Sequence, residues 1–570
     1  MKFDRNLIYK SSVLVFVLMT FAYIGSKEGY AIGRSLSYAF LLFSSLLFVL
    51  LFRRVFFGLF LGGVLTLSVY FVSLAKFQNM GITLNASDLL FYSQSPKDTL
   101  KIFFEYLSIT ALTEIFIGFL VVFAVLKIEK KFMTLKKPAY FLIWLFCLVG
   151  LMPFSHLTLK SYALYLYGSP NKLADITMNQ SPSVSSFVAS IGVDGILIPH
   201  FPDNKTDFNS LIEPVDPKLA IDSQALPNVF VWLEESTFDP HILKDCVFES
   251  CNSSMFTSRL DSEFFNPLKV HTWGGGTWTS EFAFLTGLDH RMFGPLGSAA
   301  PLTLAPRMNL ALPKYLSQIG YETIAVYPVR KSYLNAGPAY RSYGFDQVID
   351  IIDEGEGDTW KSTDQRLFEI FKKIVNRQNH KKPLFVFMLT IYQHGPHRST
   401  DEKPRTQGFQ TPYIKSFSKE LNDKIDNYLD RMIQSEIVVK EAEQYFTHQF
   451  KDQKWIFTHF GDHQPSFDEA VSNIHLFSPE KVKYFDEIQY ITYFKMKANF
   501  KLSGNHYPEV DLAYLGNYLL SMAGIPMNDF YKANEKLLEL CNGKYMTCEN
   551  RDVWESYNNY IFNRLQVIQN

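Results

Sequence analysis

Charge is almost absent from five stretches of the first 160 residues: 11–26, 35–52, 55–75, 106–126 and 138–159. The third and fifth reach the roughly 20 residues that a membrane-spanning helix needs, and the second comes close. The fourth carries Glu114 in mid-span, and the first is the shortest. A cleaved signal peptide would explain the first stretch alone, but Ser26-Lys27-Glu28-Gly29 is a poor cleavage site and four more apolar stretches follow. The pattern predicts a five-helix transmembrane bundle over residues 1–159. Residues 160–224 read as a connector, with polar patches such as MNQSPSVSS and little periodicity.

From residue 225 the period changes. Short apolar runs read as buried strands at 228–233, 322–328, 383–391, 454–461 and 489–496. Helical patterns separate them at 310–320, 363–378 and 418–437. Alternation of this kind predicts an extracytoplasmic α/β domain over 225–570 with a mostly parallel central sheet. In such sheets the working residues collect beyond the carboxyl ends of the strands. Here the strand ends deliver Glu-Glu-Ser-Thr (234–237), Gln-His-Gly-Pro-His (393–397) and Asp-His-Gln-Pro-Ser (462–466).

Basic residues set the orientation. Lys2, Arg5, Lys10, Arg53, Arg54, Lys127, Lys130, Lys131, Lys136 and Lys137 fall on one set of loops, against Lys27, Arg34, Lys76, Lys97 and Lys101 on the other. The excess places the N-terminus in the cytoplasm and, with five spans, the large domain outside it. Cysteine agrees. Apart from Cys147 within the fifth stretch, the cysteines form two local pairs, Cys246 with Cys251 and Cys541 with Cys548, without the Cys-x-x-Cys spacing of a zinc site. Outside the cytoplasm these read as two short-loop disulfides. The net charge of −1 leaves no basic footprint for nucleic acid. An intramembrane carboxylate such as Glu114 is a functional candidate by default, although one facing other helices is the plainer reading.

The strand ends carry ligands suited to zinc or manganese: Glu234 or Glu235, His394, Asp462 and His463. Singly, each reads as ordinary polar surface; at one edge of one sheet they form a candidate metal centre. The run HTWGGGTWTSEF (271–282) places three glycines before Thr277, with Thr279 and Ser280 following. Glycines permit close backbone approach by a tetrahedral phosphorus centre, and a divalent cation is one of few means of activating a threonine hydroxyl. A glycine-rich turn capped by Thr277 or Thr279 accounts for the same residues.

Taken together, VWLEEST, GGGTWTSEF, QHGPH and FGDHQPS resemble the alkaline phosphatase/sulfatase superfamily. The nearest likeness is to its membrane-anchored branch: lipoteichoic acid synthases, periplasmic glucan phosphoglycerol transferases and lipid A phosphoethanolamine transferases. GYETIAVYP…AYRSYGFDQVID and VDLAYLGNYLLSMAGIP extend the resemblance over most of residues 225–535. It implies an alkaline phosphatase/sulfatase-like sandwich, with Thr277 as nucleophile and metal ligand beside Glu235, Asp462 and His463. Thr279 is the alternative nucleophile. His394 would contact the phosphate or assist the leaving group, and His475 matches a later histidine of the phosphoethanolamine branch less closely than it fits a surface residue. Tyr327, Arg330, Asn335 and His397 are the implied substrate contacts. Tyr327 and Leu334-Asn335-Ala336 stand where the synthases carry the His and Trp-Asn-Arg that hold the headgroup, so the cationic grip is either missing or moved to Arg330, Lys331 or Arg341. A sulfatase proper is disfavoured, because no Cys/Ser-x-Pro-x-Arg surrounds Thr277.

The resemblance thus implies an enzyme in a bacterial cytoplasmic (inner) membrane. It would take a phosphodiester headgroup from a membrane phospholipid donor to an envelope glycan or lipid acceptor, with zinc or manganese as cofactor. A hydrolase using water as acceptor, a binding protein without turnover and, more distantly, a transporter are the competing readings.

Overall fold

The computed structural model describes residues 5–93, 96, 129, 137–167, 181–193, 195–202, 207–212, 225–357, 360, 362–379, 381–397, 406–467, 469 and 473–569. The chain divides into two compact units, Met1–Leu197 with Gly294–Leu296, and Ile198–Phe293 with Gly297–Asn570.

In the first unit, helices α1 (Arg5–Lys27), α2 (Ala31–Phe52) and α3 (Val55–Met80) cover the first three apolar stretches. Among the described residues these three are long and apolar enough to cross a membrane, with mean hydropathies of 1.9, 2.2 and 2.2 over Leu7–Lys27, Ala31–Phe52 and Val55–Gln78. Gly58 and Gly62, four residues apart on α3, let α2 approach closely: a Cβ at either would lie about 2.5 Å from backbone atoms of Val49 or Ser45. The fourth stretch, with Glu114, lies outside the described residues. The fifth falls within a 31-residue helix, Lys137–Tyr167, that contains Pro153.

The stretch read as a connector is not uniform. It holds a short helix, Val184–Ser190, whose N-cap Ser183 accepts a hydrogen bond from the Ser186 amide. The buried Glu28 carboxylate receives the Val184 and Ser185 amides at 3.1 and 3.2 Å, together with the Ser37 and Ser185 hydroxyls. Four donors compensate a carboxylate removed from water. The partners lie some 150 residues apart in sequence, which is why the connector read as featureless.

Among the described residues, the second unit is built on eight strands: β1 (Asn228–Glu234), β2 (Glu263–Lys269), β3 (Glu322–Tyr327), β4 (Gln347–Asp350), β5 (Leu384–Leu389), β6 (Trp455–Gly461), β7 (Ile491–Ala498) and β8 (Val510–Asp511). Their order is β4-β3-β5-β1-β6-β7-β2-β8. The first five in that order run parallel, β7 is antiparallel to both its neighbours, and β8 is parallel to β2. β1, β5 and β6 are buried along their whole length, as expected of strands covered on both faces. On one face, Phe230 stacks on Phe446 and Trp232 packs on Phe368 and Phe371, from helices Lys419–Gln449 and Asp364–Asn376. On the other, Phe387 and Phe460 pack on Phe284 of helix Thr277–Thr286. The result is an α/β sandwich with a mostly parallel sheet.

The five strands read from the sequence are present, while β2, β4 and β8 were not foreseen. β2 reads EFFNPLK, with a proline at 267 and no continuous apolar run, because it pairs with β7 near one side of the sheet. Helix Lys419–Gln449 extends twelve residues beyond the predicted end at 437.

Both cysteine pairs are bridged, Cys246 to Cys251 and Cys541 to Cys548. Closing a loop of this size contributes roughly 2 kcal/mol. Replacing Cys541 and Cys548 together by serine is therefore expected to lower the melting temperature by a few degrees, and an unchanged calorimetric scan would remove the bridge from the account of stability.

Candidate functional site

The register Leu233↔Leu389 and Leu233↔Phe460 aligns the carboxyl ends of β5, β1 and β6 at one edge of the sheet. At that edge the chain leaves β1 through Glu235 and Ser236, and β6 through Asp462 and His463. The exit is held from both sides. The Glu235 amide donates to Thr390 Oγ1 at 3.0 Å, and the Ser236 amide donates to Asp462 Oδ1 at 2.7 Å.

The glycine run answers to geometry. Gly274 and Gly276 have φ of 72° and 91°, values that side chains rarely tolerate. The Gly274 amide donates to the Gln464 carbonyl at 2.8 Å, tying this loop to the Asp462–His463 loop. Gly276 caps helix Thr277–Thr286, so Thr277 is its first residue and its hydroxyl sits at the helix N-terminus.

Thr277 Oγ1 donates to Glu235 Oε2 at 3.2 Å and lies 3.4 Å from His463 Nε2. His463 Nε2 is 3.6 Å from Glu235 Oε1 and 3.2 Å from Asp462 Oδ2. Glu235, Asp462 and His463 are all buried and present ligand atoms within 4.8 Å of one another. Among the described residues, none makes a hydrogen bond to the buried Asp462 Oδ2, an acceptor that a cation would satisfy. Two carboxylates, one imidazole and a hydroxyl match the donor preferences of zinc or manganese, so the residues present fit a divalent ion.

Electrostatics reflect the crowding. Burial, and then the charge of Asp462, raises the Glu235 carboxyl above its ordinary range. Burial pushes Asp462 up to about 7, and it lowers His463. Glu281, one turn after Thr277, is pushed up to about 8 by burial and receives the Tyr340 hydroxyl at 2.6 Å.

Neighbouring residues in the sequence are sorted by the fold. Glu234 turns away from the cluster: its Oε2 accepts from Thr390, and its field is shared with Asp364 of the Phe368 helix. Thr279 is buried and donates to the Gly276 carbonyl at 2.8 Å, a backbone contact. His394 is half-buried, packs against Trp360 at 5.3 Å between ring centres, and adds its field to Glu235 and His463.

The residues implied as substrate contacts are placed less uniformly. Tyr327 is buried against Tyr340, within the field of Glu281 and Glu235. Arg330 is exposed. Asn335 is exposed, with a φ of 61°, and caps helix Ala336–Tyr343, a backbone reason for asparagine there. Lys331 is ion-paired to Asp353, and Arg341 is exposed. His397 is buried between Tyr428 and Phe467, with Nε2 on the Gln393 carbonyl; burial pushes it down to about 3. His475 is exposed.

Sequence reasoning passed over Thr390, Ser236, Ser280 and Trp360. Ser236 Oγ donates to Glu235 Oε1 at 2.8 Å, and Ser280 Oγ donates to the Asp462 carbonyl at 2.6 Å, so both orient the candidate ligands. Trp360 stands between His394 and Tyr333. No spacing in the chain marks Thr390, Ser280 or Trp360, since their partners are distant in sequence, and Ser236 simply adjoins the carboxylate it orients.

The family model described as Sulfatase matches residues 227–523, just over half of the chain. A protein of Haemophilus influenzae, described as uncharacterized, is 30% identical over 387 residues, spanning 65% of this chain and 67% of that relative. Among solved structures, the Streptococcus pyogenes phosphoglycerol transferase GacH, in complex with sn-glycerol-1-phosphate, is 17% identical with a TM-score of 0.45; the match covers 63% of this chain and 88% of that one. The integral membrane lipooligosaccharide phosphoethanolamine transferase A of Neisseria meningitidis is 12% identical with a TM-score of 0.48, covering 93% and 97%. The chain belongs to the sulfatase family and is an enzyme of that family.

Proposed function

We propose that this enzyme is a phosphotransferase anchored in the bacterial cytoplasmic membrane, with its catalytic domain (residues 225–570) on the outer side. It takes the phosphodiester headgroup of a phospholipid, phosphoglycerol or phosphoethanolamine, to a hydroxyl of an envelope glycan or lipid. The observation that carries this reading is the Thr277 hydroxyl, held at a helix N-terminus 3.2 Å from Glu235 and 3.4 Å from His463.

Thr277 Oγ1 attacks phosphorus, forming a P–O bond to threonine as the bond to the diacylglycerol oxygen breaks. The Thr277 proton passes to solvent, and His394 supplies one to the departing alkoxide. The positive N-terminal end of helix Thr277–Thr286 favours the charge on the phosphoryl oxygens. The acceptor hydroxyl then attacks the same phosphorus and gives its proton to His394, while the bond to Thr277 breaks and the Thr277 oxygen regains a proton from solvent. Glu235, Asp462 and His463 would hold zinc or manganese, which when bound lowers the hydroxyl's proton affinity and offsets phosphoryl charge. An anchor in the bilayer keeps the enzyme on the surface that contains its lipid donor.

The test is peptide mass spectrometry of the purified protein after incubation with mixed bacterial phospholipids. An adduct on Thr277, within the tryptic peptide 270–291, is expected, and its mass identifies the group. Metal-loaded protein that leaves the lipid unconsumed would refute the reading.

A further inference from the structure

The segment that carries Thr277 begins and ends in one buried cluster. At its start, the fully buried His271 donates from Nε2 to Asp511 Oδ1 at 2.8 Å and lies 3.6 Å from Asp289 Oδ2. At its end, Asp289 is gripped by Arg291: the guanidinium Nε reaches both carboxylate oxygens at 3.0 and 2.9 Å, Nη2 takes Oδ2, and the Arg291 amide adds 2.8 Å to Oδ1. Burial alone would raise the Asp289 carboxyl, but Arg291 and then His271 hold it below the ordinary range.

His271, Asp289 and His290 also satisfy the spacing of a metal-ligand set. The chemistry argues otherwise. Arg291 covers both oxygens of Asp289 and already supplies the positive charge that a cation would bring. The cluster is a charge staple and not a second metal centre.

Between His271 and the start of helix Thr277–Thr286 the segment has little stiffness of its own. Three glycines precede Thr277, and two of them are left-handed. The position of the hydroxyl relative to Glu235 and His463 therefore depends on where the ends are held as well as on the Gly274–Gln464 and Ser280–Asp462 hydrogen bonds. Asp511 extends the hold further. Its Oδ1 also accepts from the Ala513 amide at 3.0 Å, starting the turn into helix Leu515–Met522. Gly516 of that helix backs onto the Phe284 carbonyl, so closely that a Cβ there would sit 2.9 Å away. The run VDLAYLGNYLL thus meets the nucleophile helix from behind.

We infer that His271, Asp289, Arg291 and Asp511 are positioning residues, a closed staple that seats Thr277 in its site. The inference rests on Thr277 being the nucleophile. A small misplacement of a reacting atom costs turnover more than binding, on the order of 100-fold.

The experiment uses the full chain with a phospholipid donor and compares His271→Ala, His271→Gln, Asp511→Asn and Thr277→Ala, with bound metal counted in each. His271→Ala is expected to lower kcat by about 100-fold, leaving KM for the lipid within about threefold and metal content unchanged. His271→Gln, whose amide donates from near the Nε2 position, is expected to recover kcat to within about tenfold of the parent. If His271→Ala does not fold, Asp511→Asn carries the test, with kcat expected about tenfold lower at unchanged KM. Parental kcat in His271→Ala, or in Asp511→Asn where that variant stands in, beside an inactive Thr277→Ala overturns the staple alone. Turnover in Thr277→Ala overturns both the staple and the mechanism. Two cations per parent chain, falling to one in His271→Ala, overturn it in favour of a metal centre.

Discussion

Thr277→Ala is expected to reduce turnover of the lipid donor by at least about 10³-fold and to abolish the peptide adduct, while the protein melts at an unchanged temperature. The magnitude follows from the role. A covalent nucleophile has no substitute in its own site, whereas the removed atoms are one hydroxyl and one methyl on a half-buried residue whose hydroxyl contacts are to the site itself. Thr279→Ala is the matching comparison. It removes a buried hydroxyl that donates to the Gly276 carbonyl, so its effect is expected on stability, by about 1 kcal/mol, with the adduct retained on Thr277. An adduct that survives Thr277→Ala and disappears in Thr279→Ala would exchange the two roles.

The second large effect concerns the cation and pH. Burial raises both Glu235 and Asp462, the latter to about 7. Without a cation, the folded chain keeps protons that the unfolded chain has already released. That favours folding below the ordinary carboxylate range, and the advantage is lost as pH rises through the raised values. A cation at these ligands removes the penalty, since it needs them deprotonated and offsets their charge. The gap in melting temperature between metal-loaded and chelated protein is therefore expected to widen from about pH 5 to about pH 7.5. Asp462→Asn should flatten that dependence and weaken zinc or manganese binding by more than about 100-fold. A gap constant across that range, or full occupancy in Asp462→Asn, would remove Asp462 from the ligand set.

These expectations rest on two different kinds of information. The sequence by itself determined the element types, because they depend on local period. Nearly charge-free stretches made α1, α2 and α3, and apolar runs of six to nine residues made β1, β3, β5, β6 and β7. It also placed candidate ligands at strand ends, since the chemistry of a parallel sheet gathers at its carboxyl edge. Of the strands it did not reveal, β2 and β8 owe their pairing to β7 and to one another, and β4 owes its pairing to β3.

Only the tertiary structure decided between neighbours. Glu234 and Glu235 are equivalent as letters, but successive residues along an extended chain point to opposite sides, which sends Glu234 toward Asp364 and leaves Glu235 facing Thr277. Thr277 and Thr279 are equally plausible caps until the helix start is known. With Gly276 left-handed and the helix beginning at 277, one hydroxyl faces the strand ends and the other folds back on the loop. The staple of His271, Asp289, Arg291 and Asp511 was invisible for the same reason: it joins residues up to 240 positions apart, and charge pairing over such distances leaves no local period to read.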